Sequence, residues 1–78
     1  MRKLTTLDRL GKGQKAVVRN VSADDDIKRR FLDMGLVKDT VVECVLISPM
    51  GDPLAFIVRG ALIAFRCDDI SEIEVEII

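Results

Sequence analysis

The spacing of apolar residues changes several times along this chain, and each period predicts an element. The clearest alternation is Ile73-Glu74-Val75-Glu76-Ile77, a strand with Ile73, Val75 and Ile77 turned inward. Lys15 to Val21 also reads as a strand, with Val17, Val18 and Val21 as its apolar residues. Thr40 to Ile47 is a near-continuous apolar run broken by Glu43, which predicts a strand buried on much of both faces. Leu54 to Arg59 and Ala61 to Arg66 flank Gly60 at hairpin spacing, with Gly60 at a positive φ. Between these runs, Ser48-Pro49-Met50-Gly51-Asp52-Pro53 holds two prolines and a glycine and cannot continue a strand.

Only Ser22 to Gly35 carries a helical period. Ile27, Phe31 and Met34 fall at i, i+4 and i+7 and make one apolar stripe, while Lys28, Arg29 and Asp33 point away from it. Ser22 suits the N-cap, Asp25 a capping-box position, and Asp24, Asp25 and Asp26 complement the positive end of the helix dipole. Gly35 supplies the left-handed stop. Leu7 to Gly11 predicts a short helical turn closed by Gly11 and Gly13, and Cys67 to Ser71 another. Five short strands with one helix inserted after the first predict a mainly β fold, a small barrel of the SH3-like or OB-like class. A parallel sheet is excluded, because one helix cannot provide its crossovers. The expected organisation is a single SH3-like domain over residues 1–78.

Composition narrows the function classes. The chain is 49% hydrophobic, which excludes disorder, and Phe31, Phe56 and Phe65 are its only aromatics, so branched aliphatic residues build the core. Two cysteines, Cys44 and Cys67, are too few for a disulfide-dependent secreted miniprotein and predict free thiols and a cytoplasmic location. No leader-like or membrane-spanning apolar run is present, so any service to a membrane is expected through a partner. Residues 1–38 hold ten Lys/Arg against five Asp/Glu, and residues 39–78 two against eight. Such asymmetry orients a domain on a charged partner unless the fold interleaves the halves and cancels their fields.

Candidate chemistry is sparse. Histidine is absent and no Cys-Lys or Ser-Lys spacing suggests an activated nucleophile, so no enzymatic activity is expected. Ferrous sites favour imidazole with carboxylate. Asp24 to Asp26 are explained by the helix start, leaving Asp68, Asp69 and Glu72 as weak metal candidates. No cofactor is required on this reading, and transition-metal binding is weak if present. Lys28-Arg29-Arg30 is basic, but the chain is acidic overall and offers no aromatic stacking platform, which speaks against nucleic acid. Recognition remains. Met50, Leu54, Ile57, Leu62 and Ile70 include more than one thin core is expected to hold, which implies a partner surface or a homodimer unless the loops and the helix cover them.

The order of motifs resembles the FeoA family, the small SH3-like accessory of the FeoB ferrous iron transporter. Arg29-Arg30-Phe31-Leu32-Asp33-Met34-Gly35-Leu36 is similar to the family's arginine-rich helix ending in Gly-Leu, and Pro49-Met50-Gly51-Asp52-Pro53-Leu54 to its Pro-x-Gly-Asp-Pro loop. Val58-Arg59-Gly60 and Ile63-Ala64-Phe65-Arg66 resemble its hairpin and following strand, and Ile73-Glu74-Val75 its closing Ile-x-Val. The likeness runs from Leu7 to Val75. Lys38-Asp39 replaces a common Pro-Gly, Phe65 a usual Leu, and Ile70 a small residue. The resemblance implies a non-catalytic adaptor in bacterial iron homeostasis that docks on the cytoplasmic GTPase domain of FeoB. Its contact surfaces would be Pro49, Met50, Gly51, Asp52, Pro53, Leu54, Arg59 and Gly60, with Arg30 and Arg66 as charged anchors; Arg30 could equally pair with the acidic second half. A regulatory SH3-like module related to the C-terminal domain of iron-dependent repressors is the alternative, and an RNA-binding barrel a further one.

Overall fold

The computed structural model describes residues 3–21 and 25–78. The expected cap Ser22, the carboxylate of Asp24 and the side chain of Asp25 lie outside what it describes. Six antiparallel strands form one sheet: β1 (Lys3–Thr6), β2 (Lys15–Val21), β3 (Val41–Ile47), β4 (Leu54–Val58), β5 (Ala61–Phe65) and β6 (Ile73–Ile77), in the order β1-β6-β2-β3-β4-β5. Helix α1 (Asp25–Asp33) follows β2, a short helix α2 (Cys67–Ile70) precedes β6, and Leu7–Arg9 is a 3₁₀ turn. The mainly β architecture is the expected one, with a strand more than the sequence pattern shows. β1, Lys-Leu-Thr-Thr, has no apolar alternation; it exists because its backbone pairs with β6 from Lys3–Ile77 to Thr6–Glu74.

Two bulges curve the sheet. The register shifts between Val18 and Asn20 against β6, and between Cys44 and Leu46 against β4. An extra residue bends its strand and raises the local twist, which a small barrel needs. The first bulge also explains why Val18 and Val21, at odd spacing, both meet the core. That core gathers Leu7, Val18, Val42, Phe56, Ile73 and Val75 from five different segments, all without solvent exposure.

One expectation is corrected in β3. Val42 and Cys44 are buried, but Val41, Leu46 and Ile47 are exposed. A single curved sheet has one core, so only one face of β3 can be inside.

Helix α1 ends as its sequence demands. Gly35 adopts φ 92°, its N–H bonds to Leu32 O at 3.0 Å, and Leu36 N–H reaches back to Phe31 O at 2.9 Å. This is a Schellman closure, and its apolar partners Phe31 and Leu36 are both in the core. The Phe31 ring meets Phe65 of β5 edge-on, centroids 5.9 Å apart, and so fastens the helix to the sheet. Within the expected stripe Phe31 is buried and Ile27 half-buried, but Met34 is exposed.

Candidate partner-binding site

The residues expected to recognise a partner fall into three places. Arg30, on the exposed side of α1, and Arg66, just after β5, face one groove of about 230 Å³ between the helix and the sheet edge. Ile27, Phe31, Met34 and Ala64 supply its apolar walls, and Asp69 of α2 lies at its rim. Neither guanidinium forms an ion pair among the described residues. Arg30 lines the groove, and among the described residues it makes no ion pair with the acidic strands of the second half. That role as salt-bridge carrier belongs to Arg19, which the sequence pattern does not single out. It reaches Asp39 at 2.7 Å and Glu76 at 3.1 Å on the outer side of β2.

The loop from Pro49 to Pro53 adjoins this groove. Asp52 Oδ1 accepts the Cys67 backbone N–H at 2.9 Å, so the loop satisfies an orphan donor at the start of α2. Cys67 Sγ in turn donates to Gly51 O at 3.3 Å. The loop thus sits beside Arg66, with Met50 standing 91% exposed at its tip. Burial and then the charge of Asp52 push the Cys67 thiol up, helped by its hydrogen bond to Asp52 and by Asp8 and Asp68. Cys44 is also pushed up, by burial, against a backbone hydrogen bond from Leu46 that lowers it. Both cysteines are free.

Arg59 and Gly60 lie elsewhere. They form the two-residue turn at the far end of β4, about 15 Å from the 49–53 loop at the usual strand rise. Both have positive φ, 51° and 83°, the geometry of a type I′ hairpin. The sequence pattern anticipates Gly60 in that conformation but not Arg59. The Arg59 side chain folds over the end of α1: a Cβ placed on Gly35 would stand 3.0 Å from Arg59 Cδ. Arg59 is thus partly committed to packing.

Leu54 is not a contact residue. It is 3% exposed, inside β4, because it pairs with Phe65 on the inner row of the sheet. Ile70, also expected to be surplus, is the fully buried last residue of α2. Met50 and Leu62 do remain outside. The weak metal candidates Asp68, Asp69 and Glu72 are all exposed, and no group of three or more metal-ligating side chains occurs among the described residues. Among those residues, too, no helix is long and apolar enough to cross a membrane.

The FeoA domain family matches residues 5–77. The chain belongs to the FeoA family. A fusion protein of Fe(2+) transport protein A and the transporter FeoB from Porphyromonas gingivalis is 31% identical over 72 residues, covering 92% of this chain but 8% of the fusion. A putative Fe(2+) transport protein A from Campylobacter jejuni is 29% identical, covering 94% of this chain and 99% of that relative. Among solved structures, FeoA from Chlorobium tepidum has a TM-score of 0.88 at 31% identity, with 95% of this chain and 70% of that chain covered. FeoA from Stenotrophomonas maltophilia, described as a procaryotic SH3 domain protein and solved with zinc, has a TM-score of 0.75 at 32% identity, covering 91% and 88%. The fold is therefore SH3-like, as the strand pattern and family resemblance imply. A manganese-dependent transcriptional repressor shares the fold alone, at 17% identity and a TM-score of 0.88 over 96% of this chain and 41% of its own length.

Proposed function

We propose that this FeoA-family chain is a non-catalytic adaptor of ferrous iron transport that docks on the cytoplasmic GTPase domain of a FeoB-type permease and modulates it. The observation that carries the reading is the P. gingivalis relative, in which a matching segment and FeoB share one polypeptide. Covalent linkage keeps two domains at high effective concentration, which favours a pair that works in contact. The surface suits the role. Arg30 and Arg66 stand over an apolar groove, and the Met50 loop is anchored beside it through Asp52. Recognition rather than catalysis fits the chemistry, because the sequence offers no histidine to activate a nucleophile and the surroundings of both thiols push them up, away from the reactive thiolate. A cytoplasmic location follows from the partner. The zinc in the S. maltophilia structure belongs to that protein; here the exposed carboxylates support weak metal binding only.

The test is titration of the purified chain into the isolated GTPase domain of a FeoB-type permease from the same organism, followed by calorimetry and by the rate of GTP hydrolysis. Saturable binding with a changed turnover supports the proposal. Absence of binding, with both proteins folded, removes it.

A further inference from the structure

The sheet does not close on itself. Its order ends at β5, so one side of Ala61–Phe65 has no strand beside it among the described residues. The two-residue turn makes Val58 and Ala61 the closing hydrogen-bonded pair of the hairpin. Ladder bonds then alternate, so Ala61, Ile63 and Phe65 direct their backbone groups to β4, while Leu62 and Ala64 direct theirs to the open edge. Proteins usually blunt such an edge with charge or proline inside the strand. Ala-Leu-Ile-Ala-Phe has neither. Ala64 belongs both to this open ladder and to the wall of the groove under α1, so the edge and the groove form one continuous feature.

We propose that the open edge of β5 is a docking site for an extended, acidic segment of a partner protein, added to the sheet as a further strand with an apolar side chain in the groove. The proposal deepens the adaptor reading by naming the mode of contact. Peptides add to sheet edges through main-chain bonds, and pockets beside the edge supply selectivity. At about 230 Å³ the groove is smaller than the roughly 300–1,000 Å³ of small-molecule sites, which suits an inserted side chain better than a cofactor. Charge selects the occupant. Arg30 and Arg66 outnumber Asp69 around the groove and have no ion-pair partner among the described residues, so a strand carrying carboxylates is matched. A second copy is not. Antiparallel pairing of β5 with itself, Leu62 opposite Ala64, brings Arg66 of each copy to the Arg59-Gly60 turn of the other, and facing like charges are destabilising.

The test uses the isotope-labelled chain and a synthetic peptide, Asp-Val-Glu-Leu-Glu-Val-Asp, followed by amide chemical shifts. Saturable shifts confined to Ala61–Arg66 and α1 are expected, with affinity falling about tenfold or more in Arg30→Glu and Arg66→Glu as matched charges become opposed. Ala64→Pro removes the outward N–H and abolishes binding while thermal unfolding confirms the fold. The same peptide N-methylated on alternate amides fails on the wild-type chain, a control that does not depend on any variant folding. Equal binding of the methylated or an all-Lys peptide, no saturation at millimolar peptide, shifts on another face, or self-association through β5 each overturns the proposal. Failure of the adaptor reading looks different: the acidic peptide binds the edge while the GTPase domain does not bind at all. Conversely, full binding of the GTPase domain to folded Ala64→Pro leaves the adaptor reading standing and removes the edge.

Discussion

Replacing Gly60 by valine isolates the contribution of one backbone conformation. Gly60 sits at φ 83°, second in the two-residue turn that joins β4 to β5. A Cβ built there meets nothing within 4 Å, so no steric clash with neighbours contributes. The whole penalty comes from placing a branched side chain in the left-handed region. An ordinary L-residue there costs about 1–2 kcal/mol, and a β-branched one is a true outlier, so about 2–3 kcal/mol is expected for Gly60→Val. Asparagine tolerates the region, so Gly60→Asn should cost under about 1 kcal/mol. For a domain of this size each kcal/mol lowers the melting temperature by about 4–8 °C, which separates the two variants clearly. Urea titration followed by circular dichroism gives the free energies, and an unchanged slope shows that the native surface is intact. Equal stability of the valine and glycine proteins, or equal loss in valine and asparagine, would refute the conformational argument and with it the type I′ assignment.

Three further outcomes are expected. Met50→Asp should leave unfolding unchanged and weaken binding of the GTPase domain, whereas Leu54→Asp should unfold the chain, because it places an unpaired charge in the core; a folded Leu54→Asp protein by circular dichroism would contradict the assigned burial. Asp39→Gly should change stability by under about 1 kcal/mol at low salt, since relief of φ 73° is offset by loss of the half-exposed pair with Arg19, and should become more stabilising at high salt, where that pair is screened; a loss of more than about 2 kcal/mol in denaturant titration refutes this. Alkylation followed by mass measurement should find Cys67 slower than free cysteine at neutral pH and Cys44 protected until unfolding. Because both thiols are raised in the fold, their stabilisation is complete below the ordinary thiol value and lost as pH rises through the raised one, so stability should decline in the alkaline range and less so in Cys44→Ala.

Legibility in the sequence followed the strength of local chemistry. β6 was readable to the residue from its strict alternation, and β2 from its run of valines between Gly13 and the helix start. The end of α1 was readable because only glycine suits φ 92° beside a packed Arg59. β1 was not, since Thr5 and Thr6 owe their strand to the backbone of β6 and not to any pattern of their own. The two-sided burial expected of β3 failed for a related reason: apolar content reports that a residue can be buried, and topology decides whether it is. The same limit applies to the site. Leu54 and Met50 are near neighbours in one motif, yet one points into the core and the other into solvent. Arg30 and Arg66, far apart in sequence, could be nominated as charged residues, but their shared groove depends on the Phe31–Phe65 contact that sets α1 against β5.

Topology also resolves the division of charge along the chain. Strand β2, from the basic half, lies between β6 and β3, both from the acidic half. Lys15 stands opposite Glu43, and Arg19 joins Glu76 to Asp39, so along β2 the two fields meet and are neutralised locally. Glu76, 8% exposed, is met there by the Arg19 guanidinium, the kind of pairing that a buried carboxylate requires. The groove beside α1 escapes this pairing: Arg30 from the helix and Arg66 from the sheet side line it against the one carboxylate of Asp69. A chain of net charge −1 therefore keeps a local positive field where its apolar groove and open strand edge meet. Such a field falls off within about 8 Å at physiological salt, too short a range to steer partners from afar. Its effect is on what can stay bound. A strand of matching charge is retained at the β5 edge, and a second copy of the same cationic edge is repelled.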